Sequence, residues 1–205
     1  MLLVVATRNP DKLVELRHAL TGLDLEIRSA ADFPSIPEVE ETGATLEENA
    51  RLKAHAIHRA AGALALADDT GLEVDALDGA PGIHSARFAG PGRDYDDNVE
   101  KLLTLMRDVP DGRRGARFRT VIVLVLPRGE ERTIEGRCEG HILRERRGGG
   151  GFGYDPVFLV SEAGRTFAEM TLAEKDGLSH RGRAMREARR LLEDFLHGAG
   201  PQPAP

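Results

Sequence analysis

Two neighbouring stretches constrain the fold of this chain more than any other feature. The run RTVIVLVLP, residues 119–127, is almost continuously apolar and is typical of a buried strand. The segment RTIEGRCEGHI, residues 132–142, alternates polar positions with apolar or small ones, which is typical of a strand with one solvent-facing side. The two segments predict an antiparallel pair around which the second half of the chain forms a lobe.

The remaining pattern alternates short strands with helices. Further strands are predicted at 2–6, 23–29, 64–67 and 156–160, and helices at 10–20, 45–61, 94–107 and 179–196. This order predicts an α/β protein with a mixed central sheet and flanking helices, in two lobes with a substrate cleft between them. We expect one catalytic domain over residues 1–197 and a disordered tail over residues 198–205.

Composition excludes several classes of protein. The 205 residues are 40% hydrophobic and 30% charged, as in an ordinary soluble globular protein, and the net charge of −6 argues against a nucleic-acid polymer as partner. Cys138 is the single cysteine, so an internal disulfide is excluded and a reducing cytoplasm is expected. The apolar start is too short for a signal peptide or a membrane span, so no membrane association is expected.

A first polar motif, TRNPDK at residues 7–12, lies between the first strand and the first helix. Main-chain N–H groups at a helix N-terminus, together with Lys12, can hold an anion. The alternative is an ordinary polar helix cap.

Paired carboxylates form the second motif. ADDTG at residues 67–71 follows a buried strand, where α/β sheets commonly bind ligands, and its carboxylates suit Mg²⁺ or a proton acceptor. EETG at residues 40–43 offers a second pair. The alternative for residues 69–71 is a simple turn.

Two further motifs lie near the C-terminus. SHRG, residues 179–182, places His180 and Arg181 in the first turn of a helix, where the helix dipole disfavours cations, although an exposed pair with no function is the alternative. GGGGFGYDP, residues 148–156, is either a linker or a main-chain surface against a ligand, and its aromatic residues favour the latter.

The joint order of these motifs resembles the inosine/xanthosine triphosphate pyrophosphatase family over nearly the whole chain. The matching elements are TxNxxK at 7–12, EETG and ENA within 40–50, ADDTGL at 67–72, GAPGxxxAR at 79–87, GGFGYDP at 150–156 and SHRG at 179–182. The resemblance implies hydrolysis of ITP, dITP and XTP to the nucleoside monophosphate and pyrophosphate. It also implies Mg²⁺ as cofactor and a homodimer.

Roles follow from the resemblance residue by residue. It implies that Asp69 accepts the proton of the attacking water, that Asp69 and Glu41 contact Mg²⁺, and that Glu40 is the fallback for Glu41. The implied substrate-binding residues are Thr7, Arg8, Asn9, Lys12, Thr70, Phe152, Gly153, Tyr154, Asp155, Lys175, His180 and Arg181. Lys53, on the predicted second helix, is a further candidate contact for the polyphosphate, although the direction in which it faces is open. Phe152 or Tyr154 is expected to stack on the purine, unless both belong to the core.

The chain departs from the family pattern at three positions. Arg8 replaces a common Gly, which predicts either an extra phosphate contact or a different loop. Thr70 replaces a common Ser and keeps the hydroxyl, and Gly149 replaces a frequent Thr or Ser. Two alternative functions stay open: a related pyrophosphatase for other modified nucleotides, and a nucleotide-sensing module without catalysis.

Overall fold

The computed structural model describes residues 1–34, 36, 38–92 and 94–198. Its central element is a mixed eight-stranded sheet. The strands are β1 (Leu2–Val5), β2 (Glu26–Ser29), β3 (Leu64–Val74), β4 (Pro81–Gly82), β5 (Gly115–Val125), β6 (Glu131–Ile142), β7 (Phe158–Val160) and β8 (Arg165–Thr166). Their order is β2-β1-β3-β5-β6-β7-β8, and β4 pairs with β3. β1 is parallel to β2 and β3, and the other pairs are antiparallel, which confirms the predicted mixed sheet.

Five α-helices flank the sheet in the described residues: α1 (Pro10–Ala19), α2 (Leu46–Ala61), α3 (Tyr95–Leu105), α4 (Leu172–Leu178) and α5 (His180–Leu196). Four of them agree with the predicted helices to within two residues at each end. The Thr45 hydroxyl caps α2, which ends at Gly62 in the left-handed conformation. α4 was not predicted, although Thr171 and Glu174 form a reciprocal capping box at its start.

The predicted antiparallel pair is the longest ladder of the sheet. β5 pairs with β6 over the whole of its length, from Gly115 opposite His141 to Val125 opposite Glu131. Side chains of β6 alternate between buried and exposed, whereas β5 is buried continuously from Thr120 to Val125. The pair therefore behaves as the two patterns predict.

β3 differs from its prediction in a way that decides the site. The strand continues through Asp68, Asp69 and Thr70 to Val74, so the expectations of a strand end or a turn at these residues are wrong. Main-chain pairing to β5 holds the segment extended, with Asp69 opposite Val121. Because successive side chains of a strand point to opposite faces, Asp68 and Asp69 face different layers of helices.

Helices cover both faces of the first part of the sheet. On one face, Leu16 of α1 and Met185 of α5 pack with Leu66; on the other, Ala50 and Ile57 of α2 join a second buried cluster. A third cluster joins α3 to the ends of β5, β6 and β7. No helix in the described ranges is long and apolar enough to span a membrane.

The helices and strands do not test the predicted boundary between the domain, residues 1–197, and the tail, residues 198–205. The last helix ends at Leu196, in agreement with the pattern, and His197 and Gly198 form a turn. The rest of the predicted disordered tail, residues 199–205, lies outside the described residues. One domain over residues 1–197 stays a prediction.

Candidate active site

Two adjoining cavities collect every predicted site residue. The larger, about 350 Å³, is lined by Thr7, Arg8, Asn9, Lys12, Glu41, Lys53, Asp69 and Thr70. The smaller, about 100 Å³, is lined by Phe152, Gly153, Tyr154, Asp155, Lys175, His180 and Arg181. Asn9, Lys12, Thr70 and Tyr95 line both cavities, which form one elongated depression.

The start of α1 forms one end of the larger cavity. Asn9 Oδ1 accepts hydrogen bonds from the main-chain N–H groups of Asp11 (2.9 Å) and Lys12 (3.4 Å), so these donors are already satisfied by the cap. An anion at this end would therefore depend mainly on the Lys12 ammonium.

Arg8 occupies its position without backbone strain. Asp78 is the one residue besides glycine with a positive φ in the described part of the chain, so Arg8 adopts an ordinary conformation. Its Nη2 donates to the Ile36 carbonyl (2.8 Å), which ties the motif to the loop before Glu41. The side chain is exposed at the cavity rim.

Four charged side chains, Asp69, Lys53, Glu41 and Arg87, form what we call the open cluster. Lys53 Nζ lies 2.6 Å from Asp69 Oδ1 and 3.0 Å from Glu41 Oε1, and it also donates to the Asp68 carbonyl (2.9 Å). Arg87 Nη1 donates to Glu41 Oε2 (3.0 Å). Three of these side chains line the larger cavity, so the cluster faces the space that a ligand would fill.

The electrostatics of the open cluster favour a reactive Asp69. Burial raises the pKa of Asp69 above its ordinary value, although Lys53 and Lys12 oppose the change. Burial acts against the charge of Lys53 as well, but Asp69 and Glu41 outweigh it and raise the pKa of Lys53. A carboxylate with a raised pKa beside a fixed ammonium is well suited to accept a proton.

The carboxylates of the open cluster fit a magnesium site. Asp69 and Glu41 both pair with the Lys53 ammonium, so their carboxylates are close enough to contact the same cation. No group of three or more potential ligands occurs among the described residues. Mg²⁺ commonly uses one or two carboxylates and completes its shell with substrate phosphates and water, so this donor set is sufficient.

A side chain of α2 holds the loop that carries Glu41. The Gly43 N–H donates to Asn49 Oδ1 (2.8 Å), and a Cβ at residue 43 would lie 2.6 Å from Glu48 Cβ. Glu41 is half-buried and bonded to Lys53 and Arg87, whereas Glu40 is exposed. Glu41 is thus the carboxylate of the pair that faces Asp69.

On the opposite side of β3, buried charges form the closed cluster, defined as Lys12, Glu15, Asp68, Asp155, Lys175 and Arg181. Asp68 Oδ2 is 3.0 Å from Lys12 Nζ and 3.2 Å from Arg181 Nε. Glu15 joins Arg181 to Lys175 (2.6 Å), and Lys175 also meets Asp155 (2.6 Å). The cluster links β3, α1, α4 and α5 in one chain of ion pairs.

Asp68 is held in its charged form by this cluster. Burial alone would raise its pKa, but Lys12, Arg181 and Lys53 together lower the pKa of Asp68 far below its ordinary value. Burial lowers the pKa of Lys12. Asp68 is therefore a structural anion, whereas burial raises the pKa of its neighbour Asp69.

His180 is an unusual lining residue of the smaller cavity. Its ring stacks on Phe118 at 4.6 Å with an interplanar angle of 9°, and within the described residues both ring nitrogens are buried without a hydrogen-bond partner. Burial, followed by Arg181 and Lys175, lowers the pKa of His180 well below its ordinary value. The alternative of an exposed His–Arg pair is wrong, because both residues are 3% exposed.

Phe152 and Tyr154 have different environments. Tyr154 is 5% exposed, packs in the cluster around Phe158 and donates its hydroxyl to the Ser85 carbonyl (2.9 Å), so it belongs mainly to the core. Phe152 is half-buried, and Lys175 Nζ lies 4.6 Å from its ring centroid. Of the two, Phe152 is the ring available for stacking.

The last glycine before Phe152 is packed against a buried carboxylate. Gly151 has a φ of +69°, and a Cβ there would lie 2.1 Å from Asp155 Oδ2. The same carboxylate oxygen accepts from the Phe152 N–H (2.9 Å) and pairs with Lys175. The linker interpretation is therefore wrong, because the loop is folded around a buried carboxylate.

Two residues of the site lie outside the motifs. Glu15 lies one helical turn after Lys12 on the buried face of α1, so its spacing from Lys12 was a usable signal. Tyr95 opens α3 within the acidic sequence DYDDN, where a lone aromatic residue was the signal. Neither belongs to a motif that the sequence singled out.

Comparison with known proteins identifies relatives over almost the entire length. A protein from Desulforamulus reducens, named dITP/XTP pyrophosphatase, is 51% identical over 96% of this chain and 98% of its own. The structure of a HAM1 protein from Coxiella burnetii is 38% identical with a TM-score of 0.85, covering 95% of this chain and 99% of that one. A Mycobacterium abscessus structure described as nucleoside-triphosphatase / dITP/XTP pyrophosphatase is 47% identical with a TM-score of 0.74, covering 92% and 98%.

A family model matches as well, and it agrees with the resemblance carried by the motifs. It spans residues 3–191, which include every motif discussed above. The chain belongs to the Ham1 family.

Proposed function

We propose that this protein hydrolyses the deaminated purine nucleoside triphosphates ITP, dITP and XTP to the monophosphate and pyrophosphate. The observation that carries this proposal is the pair of adjoining cavities. One is rich in charged groups, and the other is lined by the rings of Phe118, Phe152 and Tyr154 and by His180, whose ring nitrogens have no hydrogen-bond partner among the described residues. In this proposal the triphosphate occupies the first cavity and the purine the second. The printed names of the relatives support the same activity.

The reaction is attack of water on the α-phosphorus, with cleavage of the bond between the α-phosphorus and the oxygen that bridges to the β-phosphate. Asp69 takes the proton of the attacking water, and its raised pKa brings it closer to neutral pH. Lys53 orients Asp69 through a 2.6 Å contact. Lys12, Lys53 and the exposed Arg8 stabilise the polyphosphate, while Thr7, Asn9 and Thr70 contact it or the adjoining sugar.

Asp69 and Glu41 would hold Mg²⁺ together with substrate oxygens, in keeping with the donor set of the open cluster. When bound, the ion offsets the negative charge that develops on the leaving pyrophosphate. Lys53 keeps partners in either state, since it also bonds the Asp68 carbonyl.

Base selection rests on the smaller cavity. Hypoxanthine and xanthine present an oxygen at position 6, whereas adenine presents an amino group. Donors supplied there by His180, Arg181 or main-chain N–H groups, such as that of Gly153, would pair with the former and oppose the latter. A buried mismatch of this kind costs about 1–3 kcal/mol, or about 5- to 150-fold in kcat/KM.

Phe152 supplies the stacking surface for the purine in this proposal, and Lys175 and Asp155 hold the loop that carries it. We also propose a homodimer in the cytoplasm, with no nucleic-acid or membrane partner. The family resemblance supports the dimer, the single cysteine supports a reducing cytoplasm, and the net charge of −6 argues against a nucleic-acid partner. Light scattering of the purified chain tests the dimer.

A pyrophosphate-release panel over ITP, dITP, XTP, GTP and ATP, with and without Mg²⁺, tests the function. We expect the first three to be hydrolysed at least tenfold faster than ATP, in keeping with the roughly 5- to 150-fold range above, and activity to require Mg²⁺. Equal rates for ITP and ATP would refute the proposal. Faster turnover of methylated or pyrimidine triphosphates would favour a related pyrophosphatase, and binding without turnover would favour a sensing module.

A further inference from the structure

Tyr95 occupies the boundary between the two cavities. It is the first residue of α3, is half-buried, and lines both spaces. The rest of α3 packs mainly on the cluster around Phe118 and Phe158, away from the open cluster. Asn98, one turn further along α3, also lines the smaller cavity, but Tyr95 is the residue of this helix that lines both.

The hydroxyl of Tyr95 faces the phosphate side. It accepts a hydrogen bond from Asn9 Nδ2 (2.8 Å) and donates to Asp11 Oδ2 (3.3 Å). The other end of the Asn9 amide caps α1, because Asn9 Oδ1 accepts from the Asp11 and Lys12 main chain. Tyr95 thus fixes the amide that organises the start of the helix carrying Lys12.

The ring of Tyr95 faces the base side. Its centroid lies 5.8 Å from that of Phe152, with the planes tilted by 37°. Phe152 also faces the Lys175 ammonium at 4.6 Å. Tyr95 consequently packs against the half-buried ring of Phe152, and it is the one described residue whose hydroxyl and ring contact Asn9 and Phe152 at the same time.

We infer that Tyr95 is a positioning residue that aligns the phosphate end of the site with the base end. Its hydroxyl holds Asn9, and its ring holds Phe152, so one rigid side chain sets the spacing between them. The assignment of the phosphates and the base to the two ends rests on the proposed function. The contacts that couple Asn9 to Phe152 through Tyr95 are independent of that function.

The two contacts are separable by substitution. Tyr95→Phe removes the hydroxyl and keeps the ring, whereas Tyr95→Leu removes both. Binding is measured by calorimetric titration with two probes, inorganic triphosphate with Mg²⁺ and the nucleoside inosine. We expect Tyr95→Phe to weaken triphosphate binding by about three- to tenfold and to leave inosine binding unchanged. Tyr95→Leu should weaken both, inosine by about two- to tenfold.

Asp97→Asn is the matched control, since Asp97 is an exposed residue of the same first turn. It should bind both probes as the unaltered protein does, and melting temperatures should show that all three variants are folded. Unchanged triphosphate binding in Tyr95→Phe, or unchanged inosine binding in Tyr95→Leu, overturns the inference. A wild-type protein that releases no pyrophosphate from ITP refutes the proposed function instead, and the probe titrations still decide the role of Tyr95.

Discussion

The open and closed clusters lie on opposite faces of β3 and differ in what surrounds their charges. In the closed cluster the carboxylates of Glu15, Asp68 and Asp155 meet the cations of Lys12, Lys175 and Arg181, and most of these side chains are less than a tenth exposed. In the open cluster Glu41 and Arg87 retain about a quarter of their side-chain exposure, and Glu41, Lys53 and Asp69 line the larger cavity.

Because of this difference, the adjacent carboxylates Asp68 and Asp69 have different roles. Asp68 is surrounded by cations that lower its pKa, so it stays charged and joins α1 and α5 to the sheet. Asp69 has a raised pKa and access to the larger cavity, so it can exchange a proton with a ligand. Adjacent positions on one strand thereby separate catalysis from support.

Asp69→Asn should have the largest effect on activity. An amide cannot accept the proton of the attacking water, and a general base contributes about 10²- to 10⁴-fold. We expect kcat for ITP to fall by about that factor, as measured by pyrophosphate release. Stability should change little, because Lys53 keeps its bonds to Glu41 and the Asp68 carbonyl. Turnover within threefold of wild type would remove Asp69 from the mechanism.

Asp68→Asn should instead act mainly on stability. The amide leaves Lys12 and Arg181 without their shared anion, and breaking a buried ion pair on one side costs roughly 3–5 kcal/mol. A loss of about 6–20 °C in melting temperature is expected for a chain of this size. Calorimetry should show a lower melting temperature for Asp68→Asn than for Asp69→Asn. Equal melting temperatures would contradict the supporting role of Asp68.

The fold was largely accessible from the sequence because its signals are local. The β5–β6 pair, the capped start of α2 and the last helix follow from periodicity and caps that neighbouring residues supply. β3 was predicted too short, because Asp68 and Asp69 disfavour a strand unless distant cations compensate them. Lys12, Lys53 and Arg181 provide that compensation from other elements, and no local pattern reveals it.

The candidate site was predicted as a set of residues but not as two clusters. The motifs collected the residues that line the cavities, since their order matches a family. The partition of charges between the faces of β3 depends on which helix covers each face. That is a property of packing, and it is why Glu15 and Tyr95, which lie outside the motifs, were missed.

The smallest predicted effect concerns His180, which borders the closed cluster but carries no charge. Its folded pKa is lowered well below the ordinary 6.5, so well above pH 6.5 it is neutral in both the folded and unfolded states. As the pH falls below 6.5, the unfolded state binds a proton that the folded state does not. The free energy of unfolding should then fall by up to about 1.4 kcal/mol per pH unit.

Urea titrations of wild type and His180→Gln at pH 7.5, 6.5 and 5.5 isolate this contribution, because the other six histidines are common to both proteins. The difference in unfolding free energy between the two proteins should begin to change as the pH falls from 7.5 to 6.5. Below pH 6.5, the difference should move in favour of the variant. A difference independent of pH would mean that His180 gains its proton in the folded protein as well. The base end would then carry a further positive charge in acid, and His180 would no longer be the uncharged neighbour of the closed cluster.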